Sequence, residues 1–127
     1  MSSVTTDLTL IRGDTAALTV AVGSLGASGL NAFTDIRFTA KRDVGDPDTS
    51  AIILKTLATG ITITTVGNAT TDGVLTVAIA PADTQTLPVS YAVALSYDVR
   101  LYDSGGDAYT VAQGVLTVSP TATQALT

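Results

Sequence analysis

Aspartate is the residue with the most potential for chemistry in this sequence, because the 127 residues contain eleven acids, all of them Asp, and no Cys or His. Asp43, Asp46 and Asp48 fall in one predicted turn and Asp103 and Asp107 in another, where their oxygens could bind Ca²⁺. The spacing differs from the D-x-[DN]-x-[DN]-G calcium loop, which also requires a Glu that the sequence lacks. Since Asp is common in turns, we interpret both groups as solvated turn residues and predict no metal site.

Nucleophilic catalysis would require a Ser or Thr hydroxyl beside a base, and few bases are available here. Without His or Cys, the base would have to be Lys41, Lys55 or an Asp. The sequence places none of these beside a nucleophile, and it contains no glycine-rich phosphate loop. We therefore predict that the chain is not an enzyme and that it uses no cofactor.

Two short motifs match known recognition sequences. Arg12-Gly13-Asp14 spells the integrin-binding tripeptide, and Asn68-Ala69-Thr70 matches an N-glycosylation sequon. Gly and Asp are also the residues that a tight turn requires, so we interpret the first motif as a turn. The N-terminus lacks the basic start and apolar core of a signal peptide. We therefore interpret the second motif as a polar loop.

Four tyrosines, Tyr91, Tyr97, Tyr102 and Tyr109, could form a platform on which sugars stack. Alternation along a strand directs Tyr97 toward the core and Tyr102 to the other side, so these two do not share a surface. Tyr102 and Tyr109 are expected to pair across a hairpin instead. The pattern therefore favours structural roles for the tyrosines over a sugar platform.

Charge and hydropathy limit the partners that this chain can have. The net charge is −5 with only six basic residues, which form no cluster of the kind that nucleic acid requires. No apolar run approaches the roughly 18 residues of a membrane span. Only 13% of residues are charged, and surfaces rich in Thr and Ala suit burial against neighbouring subunits. Composition alone also permits a monomer that uses Thr as its surface residue.

The elements that would position these residues are β-strands. Glu is absent and Lys occurs twice, so strong helix formers are scarce, whereas Thr and Val are abundant. Residues 91–103 alternate strictly over more than the usual ~5–6 residues, which predicts a central strand. Its buried side is predicted to consist of Val93, Leu95, Tyr97, Val99 and Leu101, with Arg100 on the other side. The same alternation places Ile36, Phe38 and Ala40 opposite Arg37, Thr39 and Lys41, and it directs Leu75, Val77 and Ile79 inward.

The remaining pattern predicts a single all-β domain. Turn signals every ~8–12 residues favour an immunoglobulin-like two-sheet antiparallel β-sandwich, with a short helical crossover at residues 81–87. A β-bulge is expected at Gln113-Gly114, and residues 23–34 are predicted to form a loop with a short β segment at 30–33. The domain is expected to span 1–127, with a core at 7–120 and arms at 1–6 and 121–127. Further strands are predicted at 8–11, 15–22, 35–44, 51–57, 61–66, 74–80 and 108–119.

The order of motifs resembles a family of phage virion domains. The resemblance covers roughly residues 7–120 and depends mainly on three segments: IRGDT, PADTQTLP, and the hairpin that begins YDVRLYD and continues through YTV and LTV. Similar segments occur in the small immunoglobulin-like sandwich at the start of phage baseplate upper proteins and in related tail and virion accessory proteins. One departure is the segment VSYAVALS, which is interposed between Pro88 and Tyr97.

This resemblance implies a non-enzymatic bacteriophage structural protein located in the virion. It would be a capsid decoration, neck or tail/baseplate subunit, arrayed or homo-oligomeric, in contact with the major capsid, neck or tail proteins. Because no trimerising helix follows the sandwich, a free-standing subunit is expected rather than part of an adhesin. The alternative is a carbohydrate- or host-receptor-binding β-sandwich module, and contact with nucleic acid or membrane is expected in neither case.

Overall fold

The computed structural model describes residues 4–121, with Val4 described by its backbone alone. Within this range the chain forms nine strands, two short 3₁₀ helices (Gly29–Ala32 and Asp48–Ser50) and one helical turn, α1 (Pro81–Thr84). The strands are β1 (Val4–Thr5), β2 (Leu8–Ile11), β3 (Ala16–Val22), β4 (Phe33–Lys41), β5 (Ile53–Thr56), β6 (Ile61–Thr65), β7 (Gly73–Ile79), β8 (Val93–Asp103) and β9 (Ala108–Ser119).

The strands form two sheets, so the predicted all-β class is confirmed. In the large sheet the order is β9-β8-β4-β5 with antiparallel pairing, and β1 and β2 both pair in parallel with β9. In the small sheet the order is β3-β7-β6. The prediction that residues 91–103 form a central strand is confirmed for 93–103, because β8 lies between β9 and β4. As predicted, α1 connects the two sheets, since β7 precedes it and β8 follows it.

One hydrophobic core contains side chains from both sheets. The predicted inward residues of β8 are all buried, and β4 contributes Ile36, Phe38 and Ala40 with no exposed surface. The Phe38 ring stacks on the Tyr97 ring with centroids 5.6 Å apart. Leu75, Val77 and Ile79 of β7 are also buried, as their alternation predicted.

The loop between β4 and β5 is longer than the sequence predicted. The strand predicted at 35–44 ends at Lys41, and the one predicted at 51–57 covers only Ile53–Thr56. The Asp43 carboxylate accepts the Gly45 N–H at 3.0 Å, and the Asp43 carbonyl accepts the Asp46 N–H at 3.0 Å. These local hydrogen bonds compete with sheet pairing, and they end β4 before the turn residues are reached.

The short β segment predicted at 30–33 is wrong, because Gly29–Ala32 forms a 3₁₀ helix. Gly29 has φ of +58°, a left-handed conformation that turns the chain here. The Leu30 N–H then donates to the Val66 carbonyl at 2.8 Å, and the Leu30 side chain is fully buried. A local hydrogen bond to another loop therefore replaces the strand pairing that the sequence suggested.

The β-bulge predicted at Gln113-Gly114 lies instead at Val111. Val99 pairs with Ala112 whereas Arg100 pairs with Thr110, so Val111 is the extra residue of β9. The bulge allows Val111 and Ala112, which are consecutive, to be buried together.

Part of the predicted N-terminal arm belongs to the large sheet. β1 pairs with β9, and the Thr6 N–H donates to the Gln113 carbonyl at 3.0 Å. Residues 1–3 and 122–127 of the two predicted arms lie outside the described residues. Between residues 4 and 121, no helix has the length and apolar character needed to cross a membrane.

Candidate functional site

The outer face of the large sheet carries a cleft of about 230 Å³ in which charged side chains converge. Since alternate residues of β4 and β8 are buried, the intervening residues of both strands face outward into this cleft. The cleft contains three of the six basic residues of the chain. We call it the charged cleft, and its charged and aromatic lining comprises Arg37, Lys41, Asp48, Asp98, Arg100 and Tyr102.

Two arginines lie over one tyrosine ring in this cleft. Arg37 and Arg100 are directly paired across β4 and β8, an arrangement in which like charges repel. The central guanidinium carbons of Arg37 and Arg100 lie 5.5 and 5.6 Å from the centroid of the Tyr102 ring. Attraction between the cations and the ring partly offsets the repulsion.

The charged groups of the cleft differ in whether they have partners. Arg37 Nε donates to Asp35 Oδ2 at 3.0 Å, and Lys41 Nζ lies 2.7 Å from Asp48 Oδ1. Arg100 Nε, by contrast, is buried and has no hydrogen-bond partner among the described residues. Burial raises the pKa of Asp98, while Arg100 and Lys41 oppose that rise. Arg37 and Lys41 are therefore the paired cations of the cleft. The Arg100 guanidinium and the Asp98 carboxyl lack an ion-pair partner in the described part of the chain.

Replacing Asp98 by Asn is expected to stabilise the protein near neutral pH. Burial raises the pKa of Asp98 in the folded state, so the unfolded chain loses this proton at a lower pH than the folded chain does. The free energy of unfolding therefore falls as the pH rises above the ordinary aspartate pKa of ~3.9. Asn carries no proton to lose, so the gain in melting temperature of Asp98→Asn over wild type should be present near neutral pH and fade toward pH ~3. Thermal unfolding followed by circular dichroism across this range measures the difference.

Asp48→Asn provides the matched control with the opposite sign. The hydrogen bond from Lys41 lowers the pKa of Asp48, so its contribution to stability is present above the ordinary value and is lost as pH falls. Asp48→Asn should therefore lower the melting temperature near neutral pH and match wild type in acid. If the two variants change the melting temperature in the same direction at neutral pH, the assignment for Asp98 is incorrect.

The outer face of the small sheet differs from the charged cleft because it carries no charged residue. Cross-strand pairing aligns Ala17 with Ala78, and Thr19 with Thr76 and Thr62. Most of these side chains are exposed. We call this surface the alanine-threonine face, and it consists of Ala17, Thr19, Ala21, Thr62, Thr65, Val74, Thr76 and Ala78.

Strand β3 also offers a free edge next to this face. Within residues 4–121 it pairs only with β7, over seven consecutive residues with no register shift. It contains neither a charged residue nor Pro, the features that usually prevent an edge strand from pairing with another chain. A cleft of about 520 Å³ runs along it, lined by Thr6, Leu8, Val20 and Tyr97 among others.

The Arg12-Gly13-Asp14 motif is a turn, as predicted, and it is bonded to the crossover. Arg12 donates from Nε to the Leu87 carbonyl at 3.0 Å and from Nη2 to the Gln85 carbonyl at 2.6 Å. The Gly13 N–H donates to the fully buried Thr84 hydroxyl at 2.8 Å. Since the Arg12 guanidinium already binds two carbonyls of its own chain, it is not displayed as an integrin ligand would require.

The other sequence motifs also have local roles. Asn68 Oδ1 accepts the N–H groups of Thr70 and Thr71 at 2.8 and 2.9 Å, which agrees with the interpretation of this sequon as a polar loop. Lys55 pairs with Asp83 at 2.8 Å, and Asp83 also accepts the Ala80 N–H at the start of α1.

The five turn aspartates are not assembled into one site. Asp103 Oδ1 accepts the N–H groups of Gly105 and Asp107, Asp43 caps its own turn, and Asp48 pairs with Lys41. Among residues 4–121 no group of three or more His, Cys, Asp or Glu is placed to hold a metal ion.

The predicted pairing of Tyr102 with Tyr109 is wrong. Tyr102 pairs with Ala108, which places Tyr109 on the opposite face of the sheet. Tyr109 instead packs edge-on against the Phe33 ring, with centroids 6.1 Å apart. Tyr97 is buried as predicted, and its hydroxyl donates to the Thr6 carbonyl. Tyr91 is exposed, so the four rings form no shared platform.

Comparison with known proteins finds likeness only among solved structures. No family model matches the chain, and no curated protein matches it. Twenty-three chains of solved structures match, among them the periplasmic chaperone SfaE, with 14% sequence identity and a TM-score of 0.48. That match covers 92% of this chain and 56% of the chaperone, so the chain spans little more than half the length of that protein.

Proposed function

We propose that this chain is a non-enzymatic bacteriophage virion structural protein that acts through protein–protein assembly contacts. Its position would be that of a capsid decoration, neck or tail/baseplate subunit, and its fold an immunoglobulin-like sandwich. The motif order described above supports the family, and the small sheet β3-β7-β6 beside β9-β8-β4-β5 is compatible with that fold. The observation that carries the assembly role is the alanine-threonine face.

A surface of this kind can be buried at low cost. Burying a charged side chain at an interface loses its hydration, whereas Ala, Thr and Val lose little. A surface meant to stay in solvent is best given about 25–35% charged residues, yet eight outward residues across three strands of the small sheet include none. The free edge of β3 adds unpaired backbone groups to which a strand of a neighbouring subunit could bond.

One observation favours the alternative, a carbohydrate- or host-receptor-binding module. The charged cleft is a concave site with arginine, aspartate and tyrosine side chains, which are common in ligand sites. The Tyr102 ring, however, already contacts two guanidinium groups, so it is less available for a sugar. Assembly remains the better supported proposal.

Thr19→Asp tests the assembly role by placing one charge on the exposed alanine-threonine face. Because an edge strand tolerates charge, the variant is expected to fold with a near-wild-type melting temperature. In phage particles carrying the variant gene, quantitative mass spectrometry should show its copy number reduced by about tenfold, since burying the unpaired carboxylate opposes docking.

Ser104→Asp is the matched control, because it adds the same charge at an exposed hairpin turn. This variant should be incorporated at the wild-type level. Equal incorporation of Thr19→Asp and wild type would exclude the alanine-threonine face as the contact. Absence of the wild-type chain from purified particles would refute the virion role itself.

A further inference from the structure

We propose that the charged cleft binds a carboxylate group, with Arg100 as the main contact. This inference does not depend on the virion role, because it derives only from the side chains of β4 and β8. The ligand class is a carboxylic acid of small size, or an acidic side chain that enters the cleft.

Arg100 has a nitrogen without a hydrogen-bond partner in the part of the chain that the structure describes. Its Nε is buried, yet among residues 4–121 nothing accepts a hydrogen bond from it. Buried polar groups are nearly always hydrogen-bonded, and an exception points to a missing partner. Contact with the Tyr102 ring compensates part of the positive charge but supplies no acceptor for the N–H groups. A planar oxygen pair is the partner that best fits a guanidinium, because the two can form parallel hydrogen bonds.

Ion pairs neutralise the other two cations of the cleft. Asp35 and Asp48 each pair with a neighbouring cation, Arg37 and Lys41 respectively. Arg100 remains as the cation without an ion pair in the described part of the chain. Burial raises the pKa of Asp98, the nearby acid, so the cleft favours a negative charge on this carboxyl less than water does.

The size of the cleft limits the ligand. Its volume of about 230 Å³ lies below the ~300–1,000 Å³ of pockets that take drug-sized molecules. This suits a carboxylate on a short stem and excludes a folded domain. Tyr102 acts as a positioning residue, because its ring lies within 5.6 Å of both guanidinium groups.

Titration with sodium acetate tests the site, with sodium chloride at equal ionic strength as the reference and acetamide as the neutral analogue. The side-chain Nε–H resonances of the arginines, observed by ¹H–¹⁵N NMR, report the binding directly. The Arg100 resonance should shift and saturate with acetate, and neither chloride nor acetamide should reproduce the shift.

Arg100→Lys keeps the charge but cannot form the two parallel hydrogen bonds, so acetate should bind about tenfold more weakly, as judged from the Arg37 resonance. Arg42→Lys, at an exposed position outside the cleft, should bind acetate as wild type does. Tyr102→Phe should retain binding and Tyr102→Leu should weaken it, which separates the ring contact from a general loss of folding. A non-saturating Arg100 shift, or equal binding by Arg100→Lys and wild type, overturns the proposal.

Analytical ultracentrifugation distinguishes the two possible sources of the carboxylate. If the chain self-associates and acetate dissociates it, the ligand is an Asp of a second copy, and Arg100→Lys should also weaken association. If acetate binds while the sedimentation coefficient stays constant, the ligand is a separate small acid. Both outcomes support a carboxylate site, and neither decides whether the chain belongs to a virion.

Discussion

Gly29→Ala is expected to lower the free energy of unfolding by about 3 kcal/mol, from a left-handed backbone and a steric clash together. Gly29 has φ of +58°, and a Cβ added there would lie 2.2 Å from the Gly67 carbonyl oxygen and 2.3 Å from that of Val66. Neither oxygen can move freely, because both belong to the backbone and the Val66 carbonyl also accepts the Leu30 N–H. Urea unfolding followed by circular dichroism measures the loss as a lower midpoint.

Gly26→Ala is the control in the same loop. A Cβ at Gly26 meets no atom within 4 Å, so this variant should stay within about 0.5 kcal/mol of wild type, as surface substitutions usually do. Equal midpoints for Gly29→Ala and Gly26→Ala would show that the contact between the loops at Gly29 and Val66 does not constrain the fold.

The loop that contains Gly29 matters because it contributes Leu25 and Leu30 to the core. It places Leu30 at full burial, and a Cβ at Gly73 would lie only 2.6 Å from a Leu30 methyl carbon. The sequence could not show this, since GSLGASGLNAFT has no period of two or 3.6 that indicates which residue is buried. Burial here depends on a contact with a loop more than 35 residues away.

Where one side of a strand is buried and the other is wet, the sequence predicted the structure well. The alternation of β8 and β4 identified Leu95, Val99 and Phe38 as core residues, and all three are buried. Alternation does not describe Val111 and Ala112, because a bulge buries two neighbouring residues at once and a period of two cannot represent that. The bulge was predicted at Gln113-Gly114, but the glycine at this position has a different role, which is to leave room for a neighbouring carbonyl oxygen. A Cβ there would lie 2.3 Å from the carbonyl oxygen of Thr6, the residue that follows β1.

The charged cleft was missed for a different reason. Arg37 and Arg100 are 63 positions apart, and only the register between β4 and β8 makes them neighbours. Alternation correctly placed each arginine on the outward side of its own strand, and this was the signal of the cleft that the sequence offered. Pairing the two strands in advance would have required knowing that β4 lies next to β8 rather than next to another strand.

The two outer faces suggest a division of roles within one small domain. The alanine-threonine face has the composition of a surface that becomes buried, whereas the charged cleft retains an arginine nitrogen with no acceptor among the described residues. A subunit with these two faces could dock through the small sheet and leave the large sheet available for a ligand. The Thr19→Asp and Arg100→Lys variants should therefore act independently, because they lie on different sheets.

Arg12→Ala is expected to cost about 3 kcal/mol of stability, because two hydrogen bonds from a charged donor are each worth roughly 1.5–3 kcal/mol and partial exposure reduces their sum. Arg12 is half-buried, and it binds the carbonyls of Gln85 and Leu87 in the crossover. Without it, these carbonyls lose their donor and the crossover loses its tie to the turn at residues 12–14. Urea unfolding should show a lower midpoint with an unchanged slope.

Two variants test whether the geometry of Arg12, rather than its charge, supplies this stability. Arg12→Lys keeps the charge but cannot reach two carbonyls with a planar fork, so it should recover less than half of the loss. Arg42→Ala removes an arginine from an exposed position and should unfold like wild type. If Arg12→Ala and Arg42→Ala shift the midpoint equally, the link between the turn and the crossover does not contribute to folding. If Arg12→Ala alone is destabilised, the segments IRGDT and PADTQTLP are coupled by direct contact, and this contact is a physical reason for the two to occur together in one chain.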